Sequence, residues 1–372
     1  FRLTQTEGFG LELRALGWDS FFESKFEPYA RQGLAPGRVV LQHNRFYELY
    51  TEAGETTAEA AGRLKYLAAG SKDLPAVGDW VVLRELAGER GRAVIEDVLP
   101  RKSSFSRRAA GRETEEQVVA ANIDTLFLVM GLDHDFNLRR VERYLIMARE
   151  SGARAVVVLN KADVVEDAAE KVREVERVAL GVPVLQLSAK QSLGLEQLGP
   201  YTGPGQTVSL VGSSGVGKST IINRLLGRER QRTREVRAGD DRGRHTTTHR
   251  ELMLLPTGGL IIDTPGMREL QLLVRDRGLQ ETFEDIEELG ARCRFRDCRH
   301  AGEPGCAVRE ALERGELDAE RYANYRKMQQ EMADLAARET PAMKRHREEV
   351  DKQRAKKVHQ ALKLKNKRRM EN

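Results

Sequence analysis

Residues 209–220 read SLVGSSGVGKST. Gly212, Gly217, Lys218 and Ser219 give the spacing G-x-x-x-x-G-K-[ST], behind an apolar run and ahead of a helical one. Glycines let such a loop curl, so that the backbone N–H groups of Gly212, Ser213, Ser214, Gly215, Val216 and Gly217 turn inward toward phosphate oxygens. The helix N-terminus behind it, beginning Lys218-Ser219-Thr220, favours negative charge. Lys218 can reach the β- and γ-phosphates, and the Ser219 hydroxyl can ligate Mg²⁺. The stretch predicts a P-loop that binds a nucleoside triphosphate.

Around it the chain alternates. TLFLVMGL (125–132), ARAVVVLN (153–160), PVLQLSA (183–189) and TVSLVG (207–212) are near-continuous apolar runs, with helical patterns at 138–150 and 167–180 between them. Two further runs, ELMLLP (251–256) and GLIIDT (259–264), flank a Thr-Gly turn. Buried strands alternating with helices predict a mostly parallel sheet with flanking helices.

Two of these runs end in short polar motifs, where an open α/β sheet binds its ligand. Residues 160–163 are NKAD and 188–190 are SAK. The Asp163 carboxylate can accept from the N1–H and exocyclic amine of guanine, which adenine does not offer. Asn160 can bond the other edge of the base and neighbouring loops, and the Lys161 stem can lie over it. In the segment Ser188-Ala189-Lys190, the Ala189 N–H can donate to the guanine O6. Together with a P-loop, the pair specifies GTP or GDP.

Downstream, DTPG (263–266) ends a strand. Asp263 is placed to hold Mg²⁺ through water, and the Gly266 N–H to bond the γ-phosphate. The polar segment 228–249 ends in GRHTTTH, and a threonine of 246–248 can supply a second Mg²⁺ ligand. Such a segment orders on GTP and is released after hydrolysis. Ordinary small GTPases run P-loop, switch threonine, D-x-x-G, then the guanine motifs; here NKAD and SAK come first. Chain order and spatial order separate when termini lie close together, so a circularly permuted GTPase domain is expected. Ras-like enzymes place a water-orienting Gln after D-x-x-G, but this chain has Met267. His245 is a candidate for that task or a solvated switch residue, and slow intrinsic turnover stimulated by a partner is expected. Gly215 stands where potassium-stimulated GTPases carry asparagine, so no strict potassium requirement is expected.

Residues 1–36 read as an amphipathic extension ending at Pro36-Gly37. Short runs then follow at 38–42, 45–51, 62–67, 79–86 and 91–100, which predict a small OB-type β-barrel over 37–112. Arg101, Lys102, Arg107 and Arg108 surround Phe105, either an RNA-contacting strip or a solvated linker. The GTPase domain is expected over 113–278, a helical zinc-binding domain over 279–336 and a basic tail over 337–372. Cys293, Cys298, His300 and Cys306 are spaced C-x4-C-x-H-x5-C. Three thiolates and an imidazole complete a tetrahedral structural Zn²⁺ site with no open position. The basic residues Arg292, Arg294, Arg296 and Arg299 around it suit phosphate contacts.

The chain has 372 residues and a net charge of +5. From residue 341 onward basic residues outnumber acidic ones twelve to four, which points to a polyanionic partner. The three cysteines all lie within 293–306, an arrangement that argues for a metal in a reducing compartment rather than disulfides. No apolar run is long enough to cross a bilayer and no signal-peptide pattern is present, so a cytoplasmic location is expected.

From about residue 37 to 321 the chain resembles the bacterial small-ribosomal-subunit-dependent GTPase family, RsgA (YjeQ). The barrel, NKAD, SAK, GSSGVGKS, GRHTTT, DTPG and the C-x4-C-x-H-x5-C knob carry the resemblance. It implies a late assembly factor, expected to be a monomer. Such a factor binds the small subunit and its rRNA with GTP, hydrolyses GTP when the subunit stimulates it, and leaves. It also implies that Thr247 is the switch ligand to Mg²⁺ and His245 the catalytic candidate. The alternative is a GTP-gated rRNA-binding protein with negligible hydrolysis.

Overall fold

The computed structural model describes residues 12–43, 45–68, 70–86, 91–108, 116–228, 250–264 and 276–338. The chain divides into a unit running to Leu317 and a second from Asp318. The described part of the second is helix Ala319–Arg338.

The described part of the N-terminal extension, from residue 12, folds. A short turn of helix at Leu13–Leu16 precedes α1 (Ser20–Ala30). Asp19 caps α1 by accepting from the Phe21 and Phe22 N–H groups at 3.1 and 3.4 Å, which satisfies donors the first turn leaves unpaired. Phe22 and Phe26 are buried, and Trp18 meets Trp80 edge-on with ring centroids 4.7 Å apart.

Five strands follow: β1 (Ala35–Gln42), β2 (Tyr47–Thr51), β3 (Gly54–Ala60), β4 (Trp80–Glu85) and β5 (Arg92–Val98). They pair in the order β1-β2-β3-β5-β4, and β4 returns to β1. The result is a closed barrel with one parallel contact, β3 on β5, as the expected OB-like fold requires. Two details differ from the sequence reading. Residues 62–67 form helix α2 (Gly62–Leu67) instead of a strand. The missing strand is GETTAEA, whose inward face carries Thr56, Ala58 and Ala60 and no large apolar side chain. The barrel also begins earlier than Gly37, because Ala35, Pro36 and Gly37 already pair with β4.

Arg101 and Lys102 do not form a free basic strip. Arg101 grips the buried Asp79 carboxylate at 2.7 and 2.6 Å and donates to the Lys72 and Leu74 carbonyls. Lys102 pairs with Asp19 and lies over the Phe22 ring. Phe105 is buried. Strands β6 (Ser104–Arg108) and β7 (Glu116–Ala121) pair as a separate hairpin.

The α/β sheet contains β8 (Thr125–Gly131), β9 (Arg154–Asn160), β10 (Val184–Gln186), β11 (Thr207–Val211), β12 (Glu251–Leu254) and β13 (Leu260–Asp263). Their spatial order is β10-β9-β8-β11-β13-β12, all parallel except β12. Between them run α3 (Leu138–Ser151), α4 (Ala168–Val178) and α5 (Lys218–Leu226). Every residue of β8 is buried, as expected for a central strand covered on both faces. β11 comes fourth in chain order yet sits between β8 and β13, so the sheet has the rearranged connectivity that the motif order predicts. One pairing, Leu41 with Glu251, joins β1 of the barrel to β12.

Barrel and sheet also share a buried guanidinium. Arg38 of β1 is 1% exposed. It donates to the Leu16 carbonyl, to the Asn122 carbonyl at 3.1 Å and to the Thr207 hydroxyl at 2.8 Å. Its Cζ lies 5.6 Å from the centre of the Trp80 ring. Burial lowers its pKa to about 10, which still leaves it charged at neutral pH.

Beyond the sheet come α6 (Asp276–Thr282), α7 (Glu284–Ala291) and α8 (Ala307–Glu313). The backbone of Gly278 approaches α3 so closely that a Cβ would collide with the Ile146 carbonyl and the Glu150 side chain. Its N–H donates to Glu150 Oε1 at 2.5 Å. Among the described residues no helix is long and apolar enough to cross a membrane.

Candidate nucleotide site and metal-ligating cluster

The C-terminal ends of β8, β9, β10, β11 and β13 share one edge of the sheet, so the motifs that follow them meet there. After β11 the chain turns through Gly212, where a Cβ would run into the Val129 carbonyl oxygen. Gly215 and Gly217 have φ of +79° and +97°, a region that favours glycine. Val216 is buried beneath the loop, and Ser214 and Gly215 are exposed. α5 then starts at Lys218. The Lys218 ammonium donates to the Gly212 and Ser213 carbonyls at 2.6 Å each, which holds its charge over the loop. Ser219 and Thr220 are half-buried in the first turn.

Asn160 ends β9 and is 3% exposed. Its Nδ2 donates to the Val216 carbonyl at 2.7 Å, and its Oδ1 accepts from the Ala189 N–H at 2.9 Å. One amide therefore ties NKAD to both the P-loop and SAK. Gly217 is obligatory beside it, since a Cβ would strike Nδ2. Lys161 follows in a left-handed conformation with φ +67°, and its ammonium reaches Asp133 Oδ2 at 2.7 Å. Asp163 is exposed on the next short turn. Ser188 and Ala189 are buried and Lys190 is exposed. Asp263 is half-buried at the end of β13, opposite Glu251. His245, Thr247, Gly266 and Met267 lie outside the described residues.

Three contributors escaped the sequence reading. Arg224 of α5 donates to the Ala189 and Lys190 carbonyls, at 3.1 Å each, and so braces SAK against the P-loop helix. Tyr144 of α3 hydrogen-bonds Ser213; burial raises its pKa, and the Ser213 bond works the other way. Asp133 follows β8, and strand-end position was the signal that could have found it. Burial opposes its charge, but the bond to Lys161 and the ammonium's field prevail and hold it below the usual carboxylate range.

The Cys/His cluster is assembled by two chain segments. Cys293 follows α7, and Cys306 caps α8 by accepting from the Arg309 N–H at 3.5 Å. His300 enters from the connecting loop with φ +57°. Its Nδ1 lies 3.3 Å from Cys306 Sγ and 3.6 Å from Cys293 Sγ, and those two sulfurs are 4.0 Å apart. All four ligand atoms, Cys298 Sγ included, fall within 4.8 Å of one another. Zn–S bonds of about 2.3 Å give tetrahedral edges of about 3.8 Å, so the cluster is sized for one metal ion. Desolvation and the neighbouring Cys306 and Cys293 sulfurs push Cys298 up to about 11, because thiols this close resist ionising together unless a cation sits among them. The loop is fastened by Glu303, whose carboxylate accepts from the Arg299, Ala301 and Gly302 N–H groups at 2.8–3.0 Å.

A P-loop at the centre of a rearranged parallel sheet, with the guanine motifs encoded ahead of it, defines a circularly permuted P-loop GTPase. The family model described as "RsgA GTPase" matches residues 98–273. A relative named "Small ribosomal subunit biogenesis GTPase RsgA", from Opitutus terrae, is 50% identical over 358 residues, covering 94% of this chain and 96% of its own. A relative of the same name from Syntrophotalea carbinolica is 42% identical over 92% of this chain and 97% of its own. Among solved structures, YjeQ from Thermotoga maritima is 30% identical with a TM-score of 0.60, covering 82% of this chain and 100% of its own. YloQ, titled a circularly permuted GTPase, is 23% identical with a TM-score of 0.59, covering 82% and 96%, and supports the fold. The chain belongs to the RsgA GTPase family.

Proposed function

We infer that this GTPase binds the small ribosomal subunit with GTP, acts in its late maturation, hydrolyses GTP under stimulation by the subunit, and is then released. The observation that carries the nucleotide reading is the Asn160 bridge, because it fastens the base-reading and phosphate-cradling motifs into one site although they are encoded in reversed order. Relatives named for small-subunit biogenesis supply the target. Family membership favours turnover over the purely GTP-gated alternative.

In this reading Asp163 accepts from the guanine N1–H and amine, the Ala189 N–H donates to O6, and the Lys161 stem covers the base. Gly212, Ser213, Ser214, Gly215, Val216 and Gly217 direct N–H groups at the phosphates, while Lys218 neutralises developing charge between β and γ. Ser219 and Thr247 would hold Mg²⁺, with Asp263 behind a water; bound there, the ion supplies charge neutralisation across the β- and γ-phosphates. The Gly266 N–H and the Thr247 backbone sense the γ-phosphate, and His245 positions the attacking water. Cys293, Cys298, His300 and Cys306 hold a structural zinc. The arginines beside the knob and the basic tail contact rRNA, and the protein works as a cytoplasmic monomer.

The test is GTP hydrolysis with purified small subunits, large subunits or neither, at two salt concentrations. Strong, salt-sensitive stimulation by small subunits alone is expected. Equal rates in all three conditions would overturn the partner and the stimulated mechanism together. Thr247→Ala should abolish stimulation; its survival would reassign the switch ligand.

A further inference from the structure

We propose that Asp133 is a positioning residue of the guanine site, acting by holding the Lys161 ammonium so that the lysine stem is fixed where the base must lie. This rests on the guanine-nucleotide reading and adds to it a residue that belongs to none of its motifs.

Asp133 lies in the loop after β8, and β8 is the strand between β9, which carries NKAD, and β11, which carries the P-loop. Its loop therefore emerges between the base-reading and phosphate-cradling segments. The carboxylate has one strong partner: Oδ2 accepts from Lys161 Nζ at 2.7 Å. The exposed His134 ring stands farther off at 3.5 Å, and Oδ1 accepts from the Asp135 N–H at 3.3 Å. The two charged side chains are 18% and 25% exposed, so the pair is shielded from salt more than a surface bridge is.

The local backbone makes room for the pair. Gly131 ends β8 in register with Asn160 of β9, and a Cβ on Gly131 would collide with Asp133 Oδ1. The absence of a side chain at 131 lets the carboxylate fold back toward β9. Lys161 is the residue after Asn160, whose own side chain is locked to Val216 and Ala189. Its left-handed backbone sets the direction in which the stem departs, and Asp133 fixes where the stem ends. A free lysine stem loses rotamer entropy when it is immobilised against a ligand. Anchoring it beforehand removes part of that cost from binding.

A role through Lys161 makes a specific demand: the effects of Asp133 and Lys161 substitutions must not add. The variants are Asp133→Asn, which keeps the shape and removes the charge, Lys161→Met, which keeps an unbranched stem without the ammonium, and their combination. Affinities for GDP and GTP are read by titration with a fluorescent guanine nucleotide, beside thermal melting without nucleotide. Asp133→Asn is expected to weaken GDP and GTP equally, by about three- to tenfold, since the base and not the γ-phosphate is affected. In the Lys161→Met background the same change should alter affinity by less than about twofold. Asp133→Glu, which restores the charge, should recover part of the loss.

Additive effects, or wild-type affinity in Asp133→Asn, would overturn the assignment. A loss confined to GTP would also overturn it. Wild-type protein that fails to bind guanine nucleotides would instead overturn the underlying reading. Asp163→Asn, run alongside, separates the cases, because it must weaken guanine binding whether or not Asp133 matters.

Discussion

The Arg38 guanidinium donates to the Thr207 hydroxyl at 2.8 Å, across 169 residues of sequence. Thr207 opens β11, the strand that delivers the P-loop at its other end. One buried charge on the barrel therefore reaches the foot of the strand on which phosphate recognition stands. Arg38→Met would leave the Leu16 and Asn122 carbonyls and the Thr207 hydroxyl short of a donor in a buried site. A stability loss of about 2–4 kcal/mol is expected, measured as a lowered midpoint in urea. An unchanged midpoint would mean that the joint is not a source of stability.

Asn160→Ala removes both arms of the bridge between SAK and the P-loop. The Val216 carbonyl and the Ala189 N–H lose their partner, each a cost of about 1–3 kcal/mol where water does not replace it. Guanine-nucleotide affinity should fall by roughly 10- to 100-fold, part of the penalty being absorbed by the unliganded protein. Isothermal titration reads this directly, and a loss below about threefold would show that the loops hold their places without the amide.

Asp163→Asn replaces the group proposed to accept from both guanine donors. GTP should bind at least about 100-fold more weakly, because the guanine N1–H then meets an amide that can present a donor. Xanthosine triphosphate, which offers an oxygen where guanine has an amine, should gain. Competition between the two nucleotides checks the switch in preference, and an unchanged ratio would remove Asp163 from base reading.

On the proposed zinc assignment the purified protein should carry one zinc ion per chain, and metal analysis should find well below that in Cys306→Ser. The same change should expose the amides of α7 and α8 to hydrogen exchange, because the cluster joins the end of α7, through Cys293, to the start of α8, through Cys306. Retained protection after complete removal of metal would make the cluster dispensable for the local fold.

Glu303 gives a pH-dependent prediction. Backbone N–H groups, its own and those of Arg299, Ala301 and Gly302, hold its pKa at about 2, below the usual 4.5. A depressed carboxylate stabilises the fold above its unfolded pKa, and the contribution disappears as pH falls toward the folded value. The stability difference between wild type and Glu303→Gln should therefore be constant from about pH 8 to 5 and shrink between about 4.5 and 2. A difference that grows on acidification would contradict the sign.

The P-loop, NKAD, SAK and the Cys/His spacing were legible because each is local: a handful of adjacent residues carries its whole chemistry. The circular permutation followed from motif order, since the guanine motifs precede the P-loop. The barrel was legible as a class but not strand by strand. β3 presents Thr56, Ala58 and Ala60 inward, too little apolar contrast to mark a strand. GRLKYL imitates alternation, although Tyr66 is 89% exposed on a helix. Arg38, Asp133, Tyr144 and Arg224 were illegible for a different reason. Their partners across the fold lie between 22 and 169 residues away, and a side chain's local neighbours say nothing of such a distant contact. Arg101 shows the same limit in reverse: its sequence neighbours suggested a surface strip, and a buried aspartate 22 residues earlier claims it.

The placement of β11 has a consequence for how the chain is made. During synthesis β8 and β9 leave the ribosome first and can pair at once, but the other edge of β8 has no partner until residues 207–211 emerge. β13 and β12 then complete that side. The nascent chain thus displays the bare edge of a mostly apolar strand while about eighty further residues are translated, at 5–20 residues per second a wait of roughly 4–16 s. Such an edge is a template for wrong pairing. Nucleotide offers no rescue in that interval, because the phosphate-cradling loop is not yet made. Reordering the GTPase motifs makes β13 the last strand of the sheet, ahead of the C-terminal helices, and in exchange leaves the nascent chain exposed for several seconds to aggregation, a window in which holding chaperones would have their greatest effect.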